Sequence, residues 1–431
     1  MAERRLMKIS LAYGREGLEV DLPDGRVDVV TPHYADPLED PFAAIAAAFD
    51  APVGCPPLRE IVRPGMRLAV SVCDGTRPQP RELMLQVLLD RLDGILAPED
   101  ITVLVATGTH RGNTPEELRR MLGSEVVERC RVVNHDARDE ASLSYLGETK
   151  GECVPVWINR EWVEADVRVT TGFVEPHFFA GFSGGPKMIT PGLAGLETVM
   201  HLHNVRRIGD PAATWGRCVG NPVHDTIRAA AALAPPNLAC DVLLDDQKRV
   251  THVFAGELFS MHERARDVAR KVAMQEVAVP YDVVVTTNSG FPLDQNLYQA
   301  IKGLAAAERV VRHGGTIVLA AECSDGLPDH GSYADMLGRA PTVQGLIELF
   351  ADPNLTVPDQ WQVQVQARVQ SKARVLVHCA GLSGSQLAAA HLEPASDVSD
   401  AVAEALAAAG PEARVCVLPE GPQTIPYVAG T

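Results

Sequence analysis

The stretch RLAVSVCDGTRPQPRELMLQVLLDRL, residues 67–92, decides the fold. Arg67 to Val72 reads as a strand buried on both faces, because its apolar run shows no alternation. The turn CDGTRPQP follows, and then a helix is predicted from about Arg81 to Leu92. Its Leu83, Leu85, Val87, Leu88 and Leu89 suit helical packing. This strand–loop–helix unit recurs. ITVLVA (101–106) is the next strand, and Thr114 caps a helix whose first turn carries Glu116 and Glu117. DVRVT (166–170) is another strand, and Cys240 to Ala255 forms a hairpin around Asp245 and Asp246.

From Tyr281 the rhythm restarts. DVVVTT (282–287) is a strand, Asn296 to Val311 a helix, and Thr316 to Ala321 a strand. Ala373 to His378 and Arg414 to Leu418 are further strands, separated by an Ala-rich helix from Asp397 to Ala409. Strands alternating with helices predict an α/β fold of two domains, with mainly parallel sheets covered by helices and an active-site cleft between the domains. The expected division is 1–275 for a cofactor-binding, catalytic domain and 276–409 for an α/β domain that closes the cleft. The tail 410–431 is expected to pack back on the first domain.

Composition narrows the function. The chain has 431 residues, 46% of them apolar and 22% charged, as in an ordinary globular protein. A formal charge of −17 works against attraction to nucleic acid or an anionic membrane. A small anionic substrate is compatible with it, because a pocket can be locally basic. No run approaches a membrane span, and the N-terminus lacks the apolar core of a signal peptide. The nine cysteines are scattered and never spaced CxxC, which predicts a cytoplasmic chain with reduced thiols.

In open α/β sheets ligands sit at the carboxyl ends of strands. Three polar clusters fall there: DGTR (74–77), GTHR (108–111) and GFVEPH (172–177). A fourth, DQNLYQAIKG (294–303), opens a helix of the second domain. Asp74 and Arg77 form a local ion pair or, functionally, an Arg fork for a carboxylate or phosphate with the acid holding a neighbour in place. His110, set among Thr and Gly, is a structural ring or a proton carrier near neutral pH.

The most informative stretch is HFFAGFSGGPKMITPGLAGLETVMHLHN, from His177 to Asn204. Gly181, Gly184 and Gly185 let the backbone approach a ligand, and Lys187 follows them. The Walker spacing fails here. Lys187 is a solvated turn lysine or, given its apolar flanks, an enclosed amine able to form a covalent link. His201 and His203 are two apart on a helical segment, so only one can face a site. One imidazole could complete a metal's coordination. Tyr298 and Lys302 share a helical face with Gln299 adjacent, and composition alone makes that an amphipathic helix with a solvated lysine.

Together these segments resemble the nickel-dependent lactate racemase family. The resemblance rests on Asp74-x-x-Arg77, GTHR with His110, His177 with AGFSGGPK, the PG at 191–192, His203, and YQAIKG from Tyr298. It covers roughly residues 70–305 in matched order and spacing. It implies a racemase of small 2-hydroxy acids, with a nickel-pincer nucleotide attached covalently to Lys187 and made by separate cofactor-biosynthesis enzymes. On that carry-over His203 is a nickel ligand, and His110 and His177 are the two acid/base residues. Arg77 and Lys302, with Gln299 and Tyr298, hold the substrate, while Asp74, Gly184 and Gly185 support the cofactor. The implied reaction is reversible hydride transfer through a planar 2-keto acid. Alternatives are an epimerase of a larger hydroxy acid such as an aldonate, a nicotinamide-dependent oxidoreductase, or a non-catalytic cofactor carrier. The oxidoreductase is disfavoured because no strand is followed by GxGxxG.

Overall fold

A computed structural model describes residues 5–328 and 331–429. The chain forms two compact units, and each is built from discontinuous segments. One comprises Tyr34–His203 and Ala212–Val272; the other comprises the described parts of Met1–His33, Asn204–Pro211 and Ala273–Thr431. They are called here the Lys187 unit and the Lys302 unit. The fold is α/β with mainly parallel sheets, as the strand rhythm predicts.

The Lys187 unit holds a six-stranded sheet. Its order is Val250–Gly256, Leu238–Leu244, Val167–Phe173, Leu68–Cys73, Ile101–Ala106, Arg131–Asn134. All neighbours are parallel except the edge hairpin of Val250–Gly256 with Leu238–Leu244. Every residue of Leu68–Cys73 is buried, as expected of an inner parallel strand covered on both faces. The helix Arg81–Leu92 buries Met84, Leu85, Val87, Leu88 and Leu92 in one core with Val70, Val72 and Val103. Each such side chain contributes about 1.5–3 kcal/mol relative to exposure. Thr114 caps Pro115–Leu122 through a reciprocal pair with Glu117, which places that helix start as predicted.

The Lys302 unit has a second six-stranded, all-parallel sheet. Its order is Glu393–Pro394, Ala373–His378, Val311–Ala320, Tyr281–Thr287, Val415–Leu418, Val27–Val29. Here the expected division differs from what is seen. The first thirty or so residues belong to this unit, because Val27–Val29 pairs with Val415–Leu418 and the hairpin Leu6–Leu11/Leu18–Pro23 brings Ile9, Leu11, Val20 and Leu22 onto the core of Val283, Val285 and Val318. The tail also joins this unit rather than the other. Val415–Leu418 lies beside Tyr281–Thr287, and Ile425–Val428 pairs with Met274–Val277. The helix expected over 296–311 spans Leu297–Ala307, with Asn296 as its N-cap, because Val311 already opens the next strand.

Candidate active site

The sheet of the Lys187 unit reverses its winding between Leu68–Cys73 and Val167–Phe173. The chain runs outward through Ile101–Ala106 and Arg131–Asn134, then returns to the opposite side. A crevice at the carboxyl ends of strands forms where winding reverses, and ligands use it. The loops that leave these ends carry Asp74, Arg77, His110 and His177.

Asp74 is the first residue past its strand and is buried. Its Oδ2 lies 2.7 Å from His110 Nδ1, and its Oδ1 accepts the Thr76 hydroxyl at 2.7 Å. A carboxylate accepts only, so Nδ1 bears the proton and a neutral His110 ring keeps its lone pair on Nε2. Burial alone would raise the Asp74 pKa. The His110 ring, the Arg77 charge and the Thr76 hydroxyl outweigh it and hold the carboxyl at about 2. Asp74 thus orients the imidazole. Buried Arg81 pins the loop by donating from Nη1 to the carbonyls of Asp74 at 3.1 Å and Arg77 at 2.9 Å. The sequence had offered Arg81 only as a helix start.

His177 sits on a two-residue hairpin arm, paired with Gly181. Its ring stacks on Phe178 at 4.9 Å and meets the edge of Phe179 at 4.5 Å, and Ala180 N–H donates to Nδ1 at 3.3 Å. Phe179 also meets His203 edge-on at 5.3 Å, and the Lys187 Nζ lies 5.8 Å from its centroid. One phenyl ring therefore neighbours His177, His203 and Lys187 together. Sequence reasoning passed over Phe179 as an apolar flank.

Lys187 lies in the 3₁₀ turn Gly185–Met188, entered through Gly184 at φ +71° and Gly185 at φ +50°. A Cβ at Gly184 would come within 2.6 Å of Asp241 Oδ2, and one at Gly185 within 2.4 Å of the His262 ring. Only glycine fits both places. The lysine is half-buried. Loss of water around its amine, and then the Arg77 charge, lower its pKa to about 7, with Glu175 and Cys218 opposing. A large share of the amine is therefore neutral near pH 7, which is the nucleophilic form.

His203 is the C-cap of the helix Leu196–Leu202 and is buried, whereas His201 faces solvent. Its Nδ1 donates to the Val199 carbonyl at 2.9 Å, so the neutral ring carries its lone pair on Nε2. Burial lowers its pKa to about 4. A ring kept neutral with one lone pair is the form in which imidazole binds a metal. Among the described residues no group of three or more His, Cys, Asp or Glu could hold a metal ion by itself.

Tyr298, Gln299 and Lys302 lie on Leu297–Ala307 in the Lys302 unit. Gln299 is buried, and its backbone N–H is capped by Asn296 at 3.0 Å. Lys302 Nζ donates to Gln299 Oε1, three positions back on the same helix. Tyr298 turns to its own unit, accepting the Trp361 indole N–H at 3.0 Å and stacking edge-on against Tyr333.

The sheet with its winding reversal defines an α/β protein whose strand-end loops gather polar and charged side chains. The family follows from comparison. Residues 13–216 match the lactate racemase N-terminal domain and residues 277–425 the lactate racemase C-terminal domain, so the chain belongs to the lactate racemase family, whose members are isomerases. It is 32% identical to the lactate racemase of Lactiplantibacillus plantarum, over 96% of this chain and 99% of that one. It is 31% identical to the lactate racemase of Thermoanaerobacterium thermosaccharolyticum, over 97% and 99% of the two chains. The lactate racemase apoprotein structure from the latter organism superposes with a TM-score of 0.89, covering 97% of this chain and all of that one. A Thermotoga maritima protein of 19% identity shares the fold, with a TM-score of 0.70.

Proposed function

We propose that this isomerase interconverts the enantiomers of a small 2-hydroxy acid, lactate or a close relative, using a nickel-pincer nucleotide held on Lys187. The observation that carries this reading is the gathering around Phe179 of the Lys187 amine and the buried His203 ring, with burial lowering the pKa of both. These two residues fit the group. A neutral amine can form the covalent link, and a single neutral ring suffices where the group brings the remaining metal ligands itself. When bound, the pyridinium nucleotide supplies a hydride acceptor, which avoids forming a carbanion beside a carboxylate.

The chain's own residues would do the rest. His110 Nε2 takes the hydroxyl proton of one enantiomer, and the Asp74 carboxylate opposite Nδ1 compensates the charge that forms on the ring. His177 serves the other enantiomer, whose hydroxyl points to the opposite side of the reacting carbon. Arg77 meets the substrate carboxylate as a fixed planar donor. Lys302 and Gln299, already bonded to each other, are proposed as further donors to substrate, with Tyr298 beside them. The rings of Phe178 and Phe179 beside His177, with Trp215 against Phe178, would keep water from the reacting centre.

The test is co-expression with the cofactor's biosynthetic enzymes, followed by intact-mass measurement and chiral chromatography with each lactate enantiomer. The expected outcome is a mass increment that maps to Lys187 and conversion of either enantiomer to a racemate. Lys187→Ala should lose both. A chain active without any increment on Lys187 would overturn the anchor, and a loaded chain inert toward a panel of 2-hydroxy acids would overturn the reaction.

A further inference from the structure

Two buried side chains grip the backbone of Ser183–Gly185, and the proposed reaction uses neither of them. Asp241 stands in the middle of Leu238–Leu244, fully buried and in register with Gly172 of the neighbouring strand. Its Oδ2 accepts the Gly185 N–H at 2.6 Å, and its Oδ1 has no hydrogen-bond partner among the described residues. His262, on the helix Leu258–Ala273, places Nε2 2.8 Å from the Ser183 carbonyl, so Nε2 carries the proton; its Nδ1 has no hydrogen-bond partner among the described residues. One acceptor and one donor, from a strand and a helix, thus hold consecutive stretches of the same loop. The fit is close all round, since a Cβ at Gly172 would lie 2.7 Å from Asp241 Oδ1.

Such groups are expensive to bury. A carboxyl with one N–H for company, and an imidazole with an unused nitrogen, each cost more than an apolar residue of similar volume. Packing alone does not account for them. What they act on is a single turn, the one that ends in Lys187. We propose that Asp241, with His262, is a positioning pair that fixes the Gly184–Gly185 backbone and so keeps the Lys187 amine in its water-poor setting, ready for covalent attachment. The proposal rests on the reading of Lys187 as the anchor. The groups that couple to the amine electrostatically are Arg77, Glu175, Cys218, His203 and His224, with the Phe179 ring alongside, and neither Asp241 nor His262 is among them. The pair therefore acts through the backbone.

Competitive labelling of the unloaded chain with trace acetic anhydride tests this. Peptide mass mapping across a pH series gives each of the seven lysines its own ionisation curve. In the wild-type chain the Lys187 midpoint should fall near 7, apart from solvated lysines at about 10.4. Asp241→Ala should move that midpoint up by at least about one pH unit while the other six curves stay fixed. Asp241→Asn, which keeps an acceptor for Gly185, should restore it. His262→Ala and His262→Gln should behave as the corresponding pair, since glutamine keeps a donor. A folded Asp241→Ala chain with an unchanged Lys187 curve overturns the proposal. If that variant does not fold, an unchanged curve in His262→Ala does the same. The anchor reading fails separately, by the absence of any mass increment on Lys187 in the loaded wild-type chain.

Discussion

Asp74 and Asp241 are two buried aspartates of one sheet, and their carboxyls lie at opposite ends of the range a protein can impose. Asp74 stands just beyond a strand's carboxyl end, facing an imidazole, a guanidinium and a hydroxyl, and is held at about 2. Asp241 stands inside a strand with one backbone N–H and is pushed up to about 7 by burial. Depth is common to both. The set of partners decides whether charge persists, and with it which chemistry each can serve.

The largest expected effect comes from removing the Asp74 charge. In the holoenzyme, Asp74→Asn should lower kcat by about 10²–10⁴-fold, because His110 loses the partner that fixes its tautomer. KM should change far less, since Asp74 is placed to touch the ring and not the substrate. Steady-state kinetics with both enantiomers checks this, and a loss in KM alone would break the contrast.

The two carboxyls should also give stability opposite slopes with pH. Asp74, depressed below its ordinary 3.8, contributes stability that is full above that value and lost as pH falls through about 2, worth about 2 kcal/mol. Asp241 is raised, so between about 4 and 7 the unfolded chain ionises while the native one stays protonated, and stability falls as pH rises. Asp241→Asn should therefore melt above wild type at pH 8 and lose that advantage at pH 5, the difference amounting to a few kcal/mol. Calorimetry at the two pH values would show it, and parallel curves would contradict the assignment.

A smaller effect isolates one partner. Thr76→Val removes the hydroxyl bond to Asp74 Oδ1 and should cost about 1 kcal/mol at pH 7, measured by urea unfolding. The cost should shrink in an Asp74→Asn background, as expected for groups in direct contact.

Much of the fold was legible because unbroken apolar runs such as LAVSVC and ITVLVA can only be inner parallel strands, and because Thr114 and Asn296 announce helix starts chemically. Val27–Val29 was not legible, since three residues carry no periodicity and their partner comes almost at the chain's other end. In the candidate site, residue types could be picked out but their pairings could not. Nothing in the spacing of Asp74 and His110 says that they bond, and nothing in YQAIKG says that Lys302 reaches back to Gln299. Asp241 did leave a signal, a lone acid inside the otherwise apolar LACDVLL, that reading this segment as a hairpin obscured.

The pairing of Val27–Val29 with Val415–Leu418 also bears on how the molecule is made. The Asp28–Arg414 ion pair beside it joins positions 386 residues apart. During synthesis Val27–Val29 must wait for its partner strand until the ribosome has delivered Val415–Leu418. The span from Tyr34 to Val272, by contrast, has all its sheet strands in hand well before release. Trimming either terminus would therefore damage the Lys302 half first and leave the lysine turn's own sheet whole.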